Sequence, residues 1–108
     1  MKRLSIVIPI YQNEENIHST MMELLALQHK IDGYSLQLIF VDDGSTDKSY
    51  ELLNEYYHEH PSIIKLVMLT KNFGQSQAIR EGIRLADGDC IGVISADLQD
   101  PPELFLEM

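Results

Sequence analysis

Hydrophobic residues are arranged along this chain in short continuous runs that alternate with longer periodic segments. Four runs combine β-branched and other apolar residues, as strands do: residues 4–10, 35–41, 63–69 and 90–95. Three segments between the runs repeat apolar residues at helical spacing: residues 14–29, 47–59 and 75–86. The pattern therefore predicts four strands that alternate with three helices.

This alternation favours a parallel sheet, because a helix between two strands carries the chain back to the starting edge. The strand runs contain few polar residues, which is typical of strands that are covered on both faces. Since short right-handed connections place successive strands side by side, we predict the strand order 3-2-1-4 with the first strand in the interior. The predicted fold class is α/β, with three layers (αβα) and a mainly parallel sheet.

Composition restricts the function classes. The chain has 108 residues, enough for one domain, and its 17 acidic and 8 basic residues give a formal net charge of -9. This balance argues against nucleic acid as a partner, because such a surface needs clustered Lys and Arg. No apolar run approaches the roughly 18 residues of a membrane helix. The single cysteine, Cys90, excludes an internal disulfide, favours the reducing cytoplasm and is expected to be a small buried strand residue.

Each predicted strand runs into a polar cluster at its carboxyl end. The clusters read PIYQNEEN, DDGSTD, TKNFGQ and SADLQD. In an open parallel sheet, ligands bind outside the carboxyl ends of the strands. Four polar clusters at one edge therefore predict a ligand site, although an ordinary turn would explain each loop taken alone.

The cluster DDGSTD combines two kinds of residue. A turn with a helix cap accounts for its last four residues, since Gly44 permits unusual backbone angles and Ser45 or Thr46 can accept an amide hydrogen bond. It does not account for Asp42 and Asp43, two neighbouring carboxylates beside an apolar strand. This pair is better explained as accepting hydrogen bonds from the NH and OH groups of a ligand.

Two further clusters carry charge that suits a phosphate ligand. Lys71 precedes a predicted helix whose amino end attracts anions, although a solvated lysine explains it equally well. Asp97 follows the fourth strand, and carboxylates so placed bind Mg²⁺ or Mn²⁺ together with substrate phosphates. A divalent cation would offset the repulsion between an anionic ligand and a chain of net charge -9. Asp100, directly before two prolines, is assigned a structural role.

Five motifs in this chain resemble those of a known family. They read VIPIYQNEENI, IFVDDGSTDKS, KNFGQSQAIREGI, ADGD and SADLQDPPEL. Together they resemble the N-terminal half of an inverting family-2 glycosyltransferase, and most closely the polyprenyl-phosphate sugar transferases, the group that contains dolichol-phosphate mannose synthase. The resemblance covers essentially the whole chain, and five motifs in order are more specific than any single one.

The resemblance implies a GT-A fold and inverting transfer of a sugar from a UDP- or GDP-linked donor to a polyprenyl phosphate or glycan acceptor, in cell-envelope glycan synthesis. It also implies a divalent metal cofactor, Mg²⁺ or Mn²⁺, bound by Asp97 with Gln99 as helper. The nucleotide-sugar-binding residues that it implies are Pro9, Tyr11, Asn13, Asp42, Asp43, Lys71, Ala96 and Asp97. Two positions depart from the family pattern: Ser95 replaces the first aspartate of an Asp-x-Asp motif, and Asn13 replaces a glutamate.

In this family the catalytic base, the acceptor site and any membrane helices belong to the C-terminal half, beyond this chain. We therefore expect residues 1–108 to be inactive alone, to expose apolar surface and to self-associate, and the full-length protein to associate with the cytoplasmic face of the membrane. The alternative is a non-catalytic nucleotide- or metal-binding module. A dinucleotide-dependent oxidoreductase would carry G-x-G-x-x-G after the first strand, and a receiver domain would place an aspartate where Thr70 and Lys71 stand.

Overall fold

The structure is a computed structural model that describes residues 2–11, 14–30 and 34–94. Its elements are β1 (Lys2–Ile10), α1 (Glu14–Lys30), β2 (Tyr34–Asp42), α2 (Ser49–Glu59), β3 (Ile64–Met68), α3 (Gln75–Leu85) and β4 (Cys90–Val93). The predicted alternation is confirmed, with small shifts at the element ends. None of the described helices combines the length and the apolar character that crossing a lipid bilayer requires.

The four strands form one parallel sheet in the order β3-β2-β1-β4, which confirms the predicted order and places β1 in the interior. β1 and β2 pair along their whole length, from Lys2 with Tyr34 to Ile10 with Asp42. The chain moves outward from β1 to β3 and then returns to the other side of β1. The carboxyl ends of β1 and β4 are therefore the point at which the strand order reverses, where open sheets bind ligands.

Alternate residues of the central strands cover the two faces of the sheet, as the pleat requires. One face packs against α1 and α2 in a core that includes Ile8, Leu24 and Phe40. The other face packs against α3 through Val7 and Ala78. Right-handed crossovers explain this arrangement, because the chain crosses the sheet in one direction through α1 and α2 and in the opposite direction through α3. The predicted three-layer arrangement is confirmed.

β4 is a short strand at the edge of the described sheet. Cys90 is exposed, so the prediction of a buried cysteine is wrong. The reason is its position, since β4 borders β1 on one side only within this sheet. Ile91 and Val93 are 47% and 40% exposed, which agrees with the expected apolar surface. Self-association through this surface stays a prediction.

The ADGD motif packs against the amino halves of β1 and β2. The Ser5 hydroxyl donates a hydrogen bond of 2.6 Å to Gln37 Oε1, and both side chains are buried. Gly88 N–H donates to Ser5 Oγ at 2.9 Å, and a Cβ on Gly88 would lie 2.5 Å from the same oxygen. The motif therefore has a structural role, in which it joins the end of α3 to β4.

Gly82 sets the distance between α3 and the sheet, and with it the position of the loop that precedes α3. A Cβ on Gly82 would lie 2.3 Å from Val7 Cγ1 and 3.2 Å from Val41 Cγ2. The first distance is far shorter than any van der Waals contact. Only a glycine allows the helix to approach this closely.

Gly82→Ala should lower the free energy of unfolding by about 2 kcal/mol, because the new methyl group overlaps Val7 even though alanine favours helix. Urea denaturation measures the change, and Val7→Ala is the matched partner variant. The double variant should be more stable than the two single losses predict, since Val7→Ala makes room for the methyl group. Simple additivity of the two losses would contradict the proposed contact.

Asp47 joins the amino ends of two helices. Its Oδ2 accepts a hydrogen bond from Glu14 N–H at the start of α1 (3.2 Å), and its Oδ1 accepts one from Ser49 N–H at the start of α2 (2.9 Å). α2 begins at Ser49, its N-cap Lys48 makes no side-chain cap hydrogen bond, and the Asp47 carboxylate instead accepts the amide hydrogen of Ser49. Burial raises the pKa of the Asp47 carboxyl, but hydrogen bonds from Ser49 and Glu14 outweigh this effect and hold the pKa below its ordinary value of 3.8.

The stability that Asp47 contributes should depend on pH. A carboxyl whose pKa is lowered by folding stabilises the fold above its unfolded-state pKa, and the contribution is lost as the pH falls through the folded-state pKa. In urea denaturation, wild type should exceed Asp47→Asn in stability at neutral pH, and the difference should shrink progressively below pH 3.8. Glu23→Gln, on the exposed side of α1, controls for the loss of one negative charge. A wild-type advantage that persists unchanged in acid would contradict this role.

Candidate functional site

The carboxyl ends of β1, β2 and β3 lie side by side, so three of the four polar clusters meet at one edge. Ile10 pairs with Asp42, and Asp42 pairs with Met68. Backbone hydrogen bonds extend beyond these pairs, from Asp43 N–H to Ile10 O at 2.7 Å. On the other side of β2, Leu69 N–H donates to Asp42 O at 2.8 Å. Asp42 is thus the central residue of this carboxyl edge.

Several predicted site residues lie outside the described residues: Asn13, Ala96, Asp97 and Gln99. β4 leads toward the same edge, since Ile94 N–H, directly after the strand, donates to Val7 O at 3.0 Å. Pro9 is half-buried near the end of β1, and Tyr11 follows that strand directly. Within the described part of the chain, no group of three or more His, Cys, Asp or Glu side chains is placed to hold a metal ion. The metal-binding role of Asp97 and Gln99 stays a prediction.

Asp42 is fully buried, and the described part of the chain provides a donor for only one of its two side-chain oxygens. Oδ1 accepts a hydrogen bond from Ser45 N–H at 2.8 Å, which closes a tight turn after β2. Oδ2 has no hydrogen-bond partner among the residues that the structure describes. A buried carboxylate oxygen without a donor costs free energy. Such an atom therefore indicates a partner that these parts of the chain do not supply.

Asp43, by contrast, receives several hydrogen bonds from the chain. Its Oδ1 accepts one from Phe73 N–H at 2.8 Å. Its Oδ2 accepts one from Gly74 N–H at 2.9 Å and one from Asn72 Nδ2 at 3.1 Å. The residue is 2% exposed. All three donors belong to residues 72–74, so Asp43 ties the loop between β3 and α3 to the end of β2.

The amino end of α3 therefore already faces a negative charge. Gly74 is the N-cap of α3 and provides no side-chain cap. The Asp43 carboxylate accepts the amide hydrogens of Phe73 and Gly74, which places it near the positive end of the helix dipole. The sequence predicted that this helix end attracts anions, and the Asp43 carboxylate already provides one negative charge there. A phosphate at the same place would need a cation beside it, which Lys71 or a metal ion can supply.

Gly44 allows the two loops to touch. Its φ of 76° lies in the left-handed region, which glycine adopts without strain. A Cβ on Gly44 would lie 2.5 Å from Lys71 C and 2.6 Å from Asn72 N. Any larger residue would therefore push the loop that carries Lys71 away from the end of β2.

Two aromatic side chains and a lysine are exposed at this edge. Tyr11 is 47% exposed and Phe73 is 49% exposed. Lys71 Nζ lies 5.2 Å from the centre of the Phe73 ring, within the range of a cation–π interaction. Exposed rings beside a buried carboxylate that lacks a donor among the described residues suit a planar ligand that carries N–H groups.

A separate cavity of about 400 Å³ lies between α1 and α2, and it is lined by His18, Met22, Leu52, Glu55, Tyr56 and Glu59. A ring nitrogen of His18 and the hydroxyl of Tyr56 share a hydrogen bond. Burial raises the pKa of Tyr56, and the charges of Glu59 and Glu55 add to this effect. Among the described residues, no buried side-chain atom of this cavity lacks a hydrogen-bond partner. The carboxyl edge of the sheet, where such an atom exists, is therefore the stronger candidate.

Sequence reasoning identified Asp42 and Asp43 together, but it did not separate their environments and it missed Asn72. Asn72 Nδ2 also donates to the backbone oxygen of Asp43 at 3.3 Å, across 29 positions of sequence. No local pattern signals a pairing over that distance. Asp47 was within reach of sequence analysis, because an aspartate just before a helix is a usual capping residue.

Comparison with known proteins identifies relatives of similar sequence. The chain is 44% identical over 104 residues to the uncharacterized glycosyltransferase YkcC of Bacillus subtilis, covering 96% of this chain and 32% of the relative. It is 43% identical over 103 residues to the undecaprenyl-phosphate 4-deoxy-4-formamido-L-arabinose transferase of Pectobacterium atrosepticum, covering 95% of this chain and 31% of the relative. The chain thus spans about a third of the length of the curated relatives it matches.

The fold is similar to that of solved glycosyltransferases. The mannosyltransferase PcManGT of Pyrobaculum calidifontis, solved in complex with GDP-Man and Mn²⁺, superposes with a TM-score of 0.77 at 22% identity. The superposition covers 93% of this chain and 33% of that protein. At the level of sequence, the family described as glycosyl transferase family 2 matches residues 5–108. Because this match takes in nearly the whole chain, the chain belongs to glycosyl transferase family 2.

Proposed function

We propose that this chain binds the nucleotide part of a nucleotide-diphosphate sugar. In the whole protein, it would serve an inverting transfer of the sugar to a polyprenyl phosphate. The observation that carries the proposal is the buried Oδ2 of Asp42, which lacks a donor among the described residues at the carboxyl edge of a parallel sheet. Family membership supports the reaction class.

Asp42 is suited to recognise a nucleoside. Its Oδ1 is held by Ser45 N–H, which fixes the direction of the second oxygen. An N–H of a pyrimidine or purine base, or an O–H of the ribose, would supply the missing donor. Hydrogen bonds to an ionised group are stronger than neutral ones, so one such contact contributes substantially to affinity.

The exposed residues of the edge fit the remaining parts of a nucleotide. Tyr11 and Phe73 offer ring faces on which a base can stack. Lys71 adds a positive charge on the same loop as Phe73, where a diphosphate needs one. The half-buried Pro9 belongs to the end of β1 beside this edge. The family resemblance implied Pro9, Tyr11 and Lys71, whereas the role of Phe73 is proposed from its exposure and its contact with Lys71.

A divalent cation fits the donors that follow β4. Asp97 and Gln99 both carry side-chain oxygens, which Mg²⁺ and Mn²⁺ prefer as ligands. β4 lies beside β1 at the point where the strand order reverses, and the strand itself runs toward the crevice where open sheets bind ligands. When bound, the metal would stabilise negative charge on the leaving nucleoside diphosphate. Ser95 in place of a carboxylate makes the empty site weak, so metal and nucleotide should bind cooperatively.

The acceptor and the cellular site belong to the same proposal. One relative is named for transfer to undecaprenyl phosphate, and this supports a lipid phosphate as acceptor. A lipid acceptor in turn favours a position of the whole protein at the cytoplasmic face of the membrane. The catalytic base is assigned to the part of the protein beyond these residues. The apolar side chains of β4 would then support self-association of the isolated chain.

Isothermal titration calorimetry of UDP and GDP with the chain in Mn²⁺ buffer tests the nucleotide site. One of the two nucleotides should bind. Asp42→Asn should lower the affinity for that nucleotide roughly 10- to 100-fold, as expected for loss of one charged hydrogen bond. Asn keeps an acceptor for Ser45 N–H, so the turn is preserved. Glu23→Gln removes one charge on the exposed side of α1 and should bind as wild type does. Absence of binding, or equal affinity for Asp42→Asn, would overturn the proposal.

Replacing Mn²⁺ by EDTA tests the metal. Nucleotide affinity should fall in EDTA for wild type, while Asp97→Asn should bind equally weakly in both buffers. The metal-free melting temperature of Asp97→Asn should match that of wild type, because the carboxylate acts only when the metal is present. Equal wild-type affinities in Mn²⁺ and in EDTA would show that the metal is not part of this site.

A further inference from the structure

Two polar side chains are buried side by side on the central strands, where apolar residues would be expected. Ser5 of β1 pairs with Gln37 of β2, and the two residues are 0% and 4% exposed. The Ser5 hydroxyl donates a hydrogen bond of 2.6 Å to Gln37 Oε1. Burying polar groups costs free energy unless their hydrogen bonds are made. The proposed nucleotide site involves neither residue, so this polar pair needs an explanation of its own.

The polar pair accepts hydrogen bonds from the backbone just before β4. Gly88 N–H donates to Ser5 Oγ at 2.9 Å. Asp87 N–H donates to Gln37 Oε1 at 3.2 Å. A Cβ on Gly88 would lie 2.8 Å from Arg3 O and 2.9 Å from Ser5 N, so the chain passes directly against the backbone of β1 here. The polar pair thus fixes the place at which the chain enters β4.

The side chains of β4 itself do little to fix its position along β1. The strand has four residues, of which three are exposed and one is a glycine: Cys90, Ile91, Val93 and Gly92. Register is weakly specified where side chains are not buried. Ile94, directly after the strand, is buried, and its N–H donates to Val7 O at 3.0 Å. β4 is therefore held by the polar pair before its first residue and by Ile94 after its last.

We infer that Ser5 and Gln37 are positioning residues for the metal-binding segment that follows β4, an inference that rests on the proposed function. The family resemblance assigns the metal to Asp97, which three peptide bonds join to Ile94. Each residue of slip between β4 and β1 would move Ile94 by about 3.3 Å. Such a displacement is far larger than the coordination geometry of Mg²⁺ tolerates.

The polar pair acts from a distance. Ser5 stands five residues before Ile10, the last residue of β1, which corresponds to roughly 16 Å along the strand. Gln37 pairs with Ser5 and lies at the same height in the sheet. Neither side chain can contact a ligand at the carboxyl edge. Their effect on the metal must therefore pass through the position of β4.

An apolar pair would fill the same space without selecting a register. Apolar contacts are non-directional, whereas Ser5 Oγ and Gln37 Oε1 accept N–H groups only within a narrow range of distance and angle. A shift of β4 would leave the N–H groups of Asp87 and Gly88 without these acceptors in a part-buried place, which costs free energy. The setting of registry is the best-attested use of buried polar groups.

The dependence of nucleotide affinity on metal tests the inference in the full-length protein. Isothermal titration calorimetry gives the affinity for UDP or GDP, whichever binds wild type, in Mn²⁺ and in EDTA. For Ser5→Ala, the affinity in Mn²⁺ should fall about 10-fold. The affinity in EDTA should stay at the wild-type level, because the carboxyl ends of β1 and β2 are not displaced. Gln37→Met keeps the volume but removes both accepted hydrogen bonds, and it should behave in the same way.

Ile64→Val separates positioning from a general loss of stability. Ile64 is buried in β3, at the opposite edge of the sheet from β4. The loss of one buried methyl group should lower the melting temperature, as Ser5→Ala does, but the ratio of the affinities in Mn²⁺ and EDTA should remain that of wild type. Gly88→Ala displaces the entry to β4 by steric overlap. Combined with Ser5→Ala, it should lose little more affinity than either change alone, because both act through β4.

Hydrogen exchange of the protein without metal or nucleotide provides a second readout. The amide of Ile94 lies at the far end of β4 from the polar pair, so its protection reports whether the whole strand stays paired with β1. This amide should lose protection in Ser5→Ala and in Gln37→Met, and it should keep protection in Ile64→Val. If Ser5→Ala does not fold, Gln37→Met and Gly88→Ala test the same contact.

Three results would overturn the inference. An unchanged ratio of affinities in Ser5→Ala and Gln37→Met would show that the polar pair only stabilises the fold. Equal losses in both buffers would show that it acts on the whole edge. A lower ratio with full protection at Ile94 would show that β4 does not carry the effect. A wild-type protein that binds nucleotide equally well in Mn²⁺ and in EDTA would instead overturn the proposed metal site, so the two failures are distinguishable.

Discussion

The parallel pairing of β1 with β2 is the interaction on which the rest of the structure depends. The two strands pair over nine residues each, and their alternating side chains provide both apolar faces of the sheet. α1 and α2 pack on one face and α3 on the other. Because the register holds to the last pair, Ile10 and Asp42, the loops that follow both strands emerge at one edge. Strand pairing thus places a buried aspartate at the edge where open parallel sheets bind ligands.

The segment DDGSTD combines a candidate binding residue with residues that hold neighbouring parts of the fold together. Asp42 leaves one oxygen free of donors among the described residues, Asp43 accepts hydrogen bonds from the next loop, and Asp47 accepts the first amide hydrogens of α1 and α2. Three buried or half-buried carboxylates within six residues would be costly without donors. Backbone N–H groups satisfy two of the three aspartates, so the cost that is left is confined to a single atom at the place where a ligand is expected.

Sequence analysis predicted the architecture correctly because the patterns that indicate it are local in the sequence. Continuous apolar runs, helical spacing and short connections fixed the element order, the parallel sheet and the order 3-2-1-4 in advance of the structure. Its errors concern features that depend on contacts between residues far apart in the sequence. Cys90 was expected to be buried because its run is apolar, but exposure depends on what covers an edge strand. Asp42 and Asp43 look alike in sequence, and only the loop some 30 positions later, which bonds one of them, separates their roles.

The strand order also has a consequence for the time course of folding. β1, β2 and β3 are joined by successive short crossovers, whereas β4 returns to β1 from the far end of the chain, as the bond from Arg3 N–H to Asp89 Oδ2 across 86 positions illustrates. Closing a longer loop costs more chain entropy, so contacts of high sequence separation form late. We therefore expect the half of the site around Asp42 to assemble first and β4 to add last. During synthesis, the carboxyl edge around Asp42 would therefore form before β4 has joined the sheet.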